Sequence, residues 1–216
     1  MMSPSVPTPV LSVQNLGFSY PGRTVFGGWS HDFSAGLTWI RGHNGCGKST
    51  LLRLFCGALT PSTGDLRIDR TDARTEPLAY RRSVYWSAPD GVAFDHLTPR
   101  EYFGFIAGLY ASFDIAAVGP CVNALGLHPF LDQRISQLST GTQKKIGLIA
   151  ALAAGTPVVL LDEPLAALDQ AAVAVVRDRL ATAAVQRDRV WILTSHEPLG
   201  ERAEASCRVL DLPAQH

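Results

Sequence analysis

Gly42-His43-Asn44-Gly45-Cys46-Gly47-Lys48-Ser49, followed by Thr50, decides the reading of this chain, because the octet satisfies G-x-x-x-x-G-K-[ST]. That pattern carries meaning only between a strand and a helix, so its flanks come first. Residues 37–41 form a short apolar run ending at a glycine, the mark of a strand. Residues 48–55 favour helix, and Gly57 with Pro61 beyond it supplies the stop. Strand, glycine loop and helix therefore follow in the required order. Glycines let successive backbone N–H groups converge on phosphate oxygens, while the helix turns its positive N-terminal end toward the same anion. Lys48 is expected to reach the β- and γ-phosphates of a bound nucleotide, and the Ser49 hydroxyl to serve as a ligand to Mg2+. Cys46 reads as an inert small residue; the alternative, a redox switch, requires a lowered thiol pKa.

Downstream, residues 158–163 read Val-Val-Leu-Leu-Asp-Glu, an apolar strand over 158–162 that ends in two acids. The carboxyl ends of parallel strands are where ligands bind, which brings both acids toward the phosphate loop. Asp162 suits a second contact to Mg2+, and Glu163 suits the base that orients and polarises the attacking water. His196 lies just beyond another apolar strand at 190–194. It either presents its ring toward the γ-phosphate or is structural, and spacing alone does not choose.

The remaining elements frame these motifs. Residues 10–16 alternate as a strand does, and 64–68 and 83–86 read as further short strands. Thr98-Pro99-Arg100-Glu101 is a capping-box pattern with proline at the first helical position, and Tyr102, Phe105, Ile106 and Leu109 follow at helical spacing. A helical subdomain is expected over about 95–140, then helices at 139–154 and 169–184. Helices alternating with apolar, β-branched strands indicate an α/β fold with a mostly parallel sheet. There is no internal repeat.

Composition narrows the function classes. With 216 residues, 46% of them hydrophobic, the chain can bury one large domain core. Nineteen basic and nineteen acidic residues cancel, so the basic surface of a nucleic-acid binder is not expected. The four cysteines form no C-x-x-C pair, which argues against a zinc site or a thioredoxin-like motif. The first ten residues carry no positive charge and three prolines, so neither a secretory signal nor an anchor is expected, and 1–9 read as disordered. The apolar stretch 146–161 is broken by Gly155-Thr156-Pro157 and falls short of the roughly 20 residues of a spanning helix. Any role at a membrane is then peripheral, through a partner that spans it.

Between the phosphate loop and the acid pair lies Leu138-Ser139-Thr140-Gly141-Thr142-Gln143, which resembles the LSGGQ signature of ABC transporters. Leu160-Leu161-Asp162-Glu163-Pro164, then Ala167-Leu168-Asp169, then His196, are similar to that family's Walker B, D-loop and switch histidine in the same order. The chain thus resembles an ABC nucleotide-binding domain over nearly its whole length. The resemblance implies a single domain over 10–216 with a P-loop NTPase (RecA-like) core, a mostly parallel sheet, an N-terminal antiparallel β portion and an inserted α-helical subdomain. It implies a Mg2+-dependent ATPase in which Gly42, Asn44, Gly45, Cys46, Gly47, Lys48, Ser49 and Thr50 hold ATP, with Lys48, Glu163 and His196 as the catalytic set.

It further implies a dimer with itself or a homologous ATPase subunit, packed head to tail. Each ATP then lies between one phosphate loop and the other subunit's Ser139 and Gly141, with Asp169 contributing from the D-loop. Ser139 is a natural N-cap, and the amides after it offer a second positive helix end. Tyr20, in Phe18-Ser19-Tyr20, falls where the family stacks an aromatic on adenine; a strand-end tyrosine is the plain alternative. The aromatic-rich segment of Tyr85, Trp86, Phe94, Tyr102, Phe103 and Phe105 corresponds to the region that meets integral membrane subunits, although helical spacing equally describes core packing. The implied location is cytoplasmic, peripheral on the inner face of the cell membrane.

Two departures from the family pattern stand out. Thr140 and Thr142 occupy positions usually held by glycine and glutamine, and the glutamine expected at about Ala88 or Pro89 is absent. Since Lys48, Asp162, Glu163 and His196 are all present, an active ATPase is expected. Arg177 and its neighbours read as a solvated face. Three rivals stay open: a soluble ABC ATPase of DNA repair or translation, a P-loop kinase, and a degenerate half of a heterodimer. The first usually carries two halves or a long coiled coil, and the second leaves the signature unexplained. Within transport, the short chain looks more like the ATPases of small bacterial exporters than like sugar importers, and the substrate is set by the membrane subunits.

Overall fold

Two sheets, built on different hydrogen-bonding patterns, carry the described residues 10–213 of the computed structural model. The expected disorder of 1–9 lies outside the described residues. The first part is antiparallel. Strands β1 (Leu11–Tyr20) and β2 (Arg23–Phe33) form a hairpin, and β4 (Thr63–Ile68) and β5 (Thr71–Asp72) extend it in the order β2-β1-β4-β5. The second sheet is parallel, with β3 (Gly36–Arg41), β6 (Val84–Ser87), β7 (Val158–Asp162), β8 (Val190–Thr194) and β9 (Arg208–Asp211) in the order β6-β7-β8-β3-β9.

Helices α1 (Lys48–Phe55) and α2 (Pro77–Arg82), and then α5 (Thr140–Ala153), α6 (Gln170–Val185) and the short α7 (Glu201–Glu204), connect the strands. Between β6 and α5 stand α3 (Pro99–Leu109) and α4 (Ile115–Ala124), followed by two single turns of 3-10 helix. The α3 start has the expected capping box: the Glu101 amide donates to Thr98 Oγ1 at 3.2 Å, and Glu101 Oε2 accepts from the Thr98 amide at 2.9 Å. Among the described residues, no helix is long and apolar enough to cross a membrane.

The apolar run of β7 is buried on both faces, and its alternation divides the core. Val158 and Leu160 join Ile40, Leu51 and Phe55 on one side, under the antiparallel sheet. Val159 and Leu161 join Leu193, Ile149 and Leu180 on the other, under α5 and α6. Parallel pairing sets Ile40 beside Thr194 and Thr194 beside Asp162, so the segments after β3, β7 and β8 leave the sheet at one edge. This register carries the phosphate loop, the acid pair and His196 to one place.

The strand read at 10–16 continues to Tyr20. It passes an irregularity where Asn15 takes φ of 51° and the pairing register shifts. Opposite it, a Cβ at Gly64 would lie 2.4 Å from the Gln14 carbonyl oxygen, so only glycine lets β4 approach. Strands β2 and β9 and helix α2 were not anticipated from sequence. On α3 the helical spacing mixes two faces: Tyr102 and Ile106 are buried, whereas Phe105 and Leu109 are exposed. Of the aromatic segment, Tyr85, Tyr102 and Phe103 are core residues, while Phe94 and Phe105 stand exposed with ring centroids 4.8 Å apart.

Candidate nucleotide-binding site

A cleft of about 340 Å3 lies at the shared edge of β3, β7 and β8. Tyr20, Asn44, Gly45, Gly47, Lys48, Ser49, Thr50, Glu163 and His196 line it, together with Arg23 and Val25. The loop between β3 and α1 needs left-handed backbone at Gly45 (φ 77°) and at Gly47, the N-cap of α1 (φ 103°). Lys48, only 8% exposed, curls back so that Nζ donates to the carbonyls of Gly42 at 2.7 Å and His43 at 3.2 Å. The ammonium thereby holds the loop closed around the start of α1. Cys46 does not line the cleft; it is buried in the core beneath the antiparallel sheet.

The acid pair is held by Thr194. Its Oγ1 donates to Asp162 Oδ1 at 2.6 Å and accepts from the Glu163 amide at 3.2 Å, while the Thr194 carbonyl accepts from the same amide at 3.1 Å. The other Asp162 oxygen, Oδ2, is buried with no hydrogen-bond partner among the described residues. A buried carboxylate oxygen left bare is costly, and a hard cation is the chemistry that satisfies it. Glu163 has a left-handed backbone (φ 50°), a conformation uncommon for a residue with a Cβ. That turn directs its carboxylate to His196, whose amide donates to Oε2 at 3.0 Å and whose Nε2 lies 3.5 Å from Oε1. Acid and imidazole thus face Lys48 and Ser49 across one cleft.

Tyr20 stands on the opposite wall with its hydroxyl 3.5 Å from Thr50 Oγ1 and its ring edge-on to Phe18. Ser139, Gly141 and Asp169 do not line this cleft. Ser139 caps α5, its Oγ accepting from the Thr142 amide at 3.2 Å and lying 2.9 Å from the Thr142 hydroxyl. Gly141 packs so tightly that a Cβ there would meet the Ala167 carbonyl oxygen at 2.5 Å. Asp169 caps α6 through the Ala172 amide at 2.8 Å and pairs with Lys145 at 2.6 Å.

Where the family's glutamine is missing, the Pro89 carbonyl receives Lys144 Nζ at 3.5 Å. Lys144 is 3% exposed, and burial lowers its pKa, against the upward pull of Glu163, Asp162, Asp90 and Glu197. Arg177, read as solvated, instead donates through Nε and Nη2 to the Pro198 carbonyl at 3.2 and 2.8 Å, bracing the segment after His196. Sequence reasoning missed Arg23, Thr194 and Lys144. Thr194 alone left a trace, as the last residue of the strand that leads to His196.

Comparison with known proteins places this geometry. Residues 29–166 match the profile of the family described as ABC transporter. Over 208 residues the chain is 32% identical to the cytochrome c biogenesis ATP-binding export protein CcmA of Pseudomonas syringae pv. syringae (strain B728a), covering 95% of this chain and 96% of that protein. A solved ATP binding subunit of an ABC transporter superposes with a TM-score of 0.82 at 22% identity, over 94% of this chain and 85% of that one. CbiO1 from Clostridium perfringens, part of the ABC transporter complex cbiONQ, superposes with a TM-score of 0.66 at 25% identity, over 88% and 79% of the two chains.

Proposed function

The chain belongs to the ABC transporter family as an ATP-binding, ATP-hydrolysing subunit, and from that premise we propose that it powers an export step in cytochrome c biogenesis, using ATP held in the cleft between Lys48 and Glu163. The export role follows the similarity to CcmA, which extends over nearly the full length of both proteins. One observation carries the site assignment: the loop lysine and serine after β3 share one cleft with Glu163 and His196, which follow the adjacent parallel strands β7 and β8.

In this reading Lys48 exchanges its bonds to the Gly42 and His43 carbonyls for β- and γ-phosphate oxygens. The unpartnered Asp162 Oδ2 and the Ser49 hydroxyl are hard oxygen donors suited to Mg2+, and they would hold it. Bound there, Mg2+ would supply positive charge to offset that developing on the transferred phosphate. Glu163 orients the attacking water and takes its proton, while the His196 amide and ring fix the carboxylate. The exposed ring of Tyr20 stacks on the base.

Ser139 and Gly141 serve the cleft of a second copy or of a homologous subunit, a role supported by their lying outside the cleft of their own chain. Asp169, engaged by Lys145 and the α6 amide, positions α5 against α6. The subunit works peripherally, on the inner face of the membrane, beneath spanning subunits. Phe94 and Phe105 form part of the surface those subunits meet.

The test is Mg2+-dependent ATP hydrolysis by the wild type and by Glu163→Gln. Loss of the base is expected to lower kcat by about 100-fold or more with ATP binding retained. Equal turnover by both would remove Glu163 from this role.

A further inference from the structure

Pro21 and Gly22, the latter at φ 77°, turn β1 into β2 and pair Tyr20 with Arg23 across the hairpin end. The guanidinium consequently reaches the phosphate loop from the wall that carries Tyr20. Its Nη2 donates to the Gly45 carbonyl at 2.6 Å. That carbonyl shares a peptide plane with the Cys46 amide, which donates to the His43 carbonyl at 3.3 Å. Both ends of this peptide are therefore committed, and its tilt is set by the arginine on one side and the loop itself on the other. Lys48 braces the same loop from within, through Gly42 and His43.

A loop that presents amides to an anion works best when its peptide planes are oriented in advance. We propose that Arg23 is a positioning residue for polyphosphate binding: it fixes the Gly45–Cys46 peptide and sets a second cation, beside Lys48, at the mouth of the cleft. An ionised donor on a backbone carbonyl is among the stronger hydrogen bonds, and the planar guanidinium holds one geometry better than a flexible ammonium. The ligand class is the polyphosphate itself, whatever base it carries. The inference rests on the reading that this cleft takes ATP.

The experiment compares full-length wild type, Arg23→Met and Arg23→Lys, titrated with ATP and with inorganic tripolyphosphate in the presence of Mg2+. Thermal melting confirms that the variants fold, as expected for an exposed side chain. Arg23→Met is expected to weaken both ligands by about tenfold, the effect of one charge-assisted bond. In the nucleotide-free protein it is also expected to speed amide exchange at Cys46. Arg23→Lys keeps the charge and one donor and is expected to stay within about threefold of wild type. Unchanged tripolyphosphate binding by Arg23→Met overturns the proposal, including the case where only ATP weakens, which would assign Arg23 to the base. A wild type that binds neither ligand sinks the nucleotide reading first, and this inference with it.

Discussion

Thr194 shows how much of a site can hang on one hydroxyl. It satisfies Asp162 Oδ1 and the Glu163 amide at once, in a setting where it is fully buried. Thr194→Val keeps the volume and strips the partner from buried Asp162 Oδ1, while the Glu163 amide keeps the Thr194 carbonyl, so a loss of about 1–3 kcal/mol is expected in urea unfolding. The same variant is expected to bind Mg2+ with ATP more weakly, because Asp162 then loses its orientation. Lys48→Ala, which removes the ammonium that braces the Gly42 and His43 carbonyls, is expected to abolish measurable ATP binding in an equilibrium titration while leaving the fold intact. The lysine and the acids were legible from sequence because each belongs to a contiguous pattern, a glycine loop or an apolar run ending in carboxylates. Thr194 was not, since its role exists only through the pairing of β7 with β8, which joins residues 32 apart in sequence. Arg23 and Lys144 act through contacts that likewise carry no local signature.

Elements whose pattern is uniform were read with little error. The helix at 48–55 and the strands at 158–162 and 190–194 fall at the observed bounds, and Ser139 and Asp169 prove to be the N-caps of α5 and α6, one residue outside each helix. Strand β2 escaped because Gly27 and Gly28 interrupt its alternation, and β9 because it is a four-residue edge strand with mostly exposed side chains. The contact between α5 and the segment before α6 is the tightest test of element packing. Gly141→Ala gains up to about 1 kcal/mol of helix propensity. Its Cβ must nevertheless displace the Ala167 carbonyl, at an overpacking cost of about 1–3 kcal/mol, so a net destabilisation is expected in chemical denaturation. The neighbouring ion pair has a pH signature. The hydrogen bond from Lys145, and then the Ala172 amide, hold Asp169 below the ordinary carboxylate value of 3.8. A depressed native pKa means the stabilisation is complete above 3.8 and lost as pH falls through the lower native value. The gap in melting temperature between wild type and Asp169→Ala is therefore expected to hold from pH 7 to pH 5 and to close below about pH 3.8.

For the molecule as a whole, the parallel sheet gathers Lys48, Ser49, Glu163 and His196 around one cleft, while Ser139 and Gly141 lie apart from it. Under the proposed reading, a chain so divided completes its site by pairing. Glu163→Gln with ATP and Mg2+ is expected to run at twice the monomer mass in light scattering and to return to monomer when ATP is withdrawn; a monomer with ATP bound would argue against a shared site. The two halves of this division are joined inside each chain where the Ala167 carbonyl closes on Gly141. That closure limits which side chains position 141 can carry. Thr140 projects from an exposed position, whereas position 141 has no room for a side chain and must stay glycine for as long as the segment after the acid pair keeps its path.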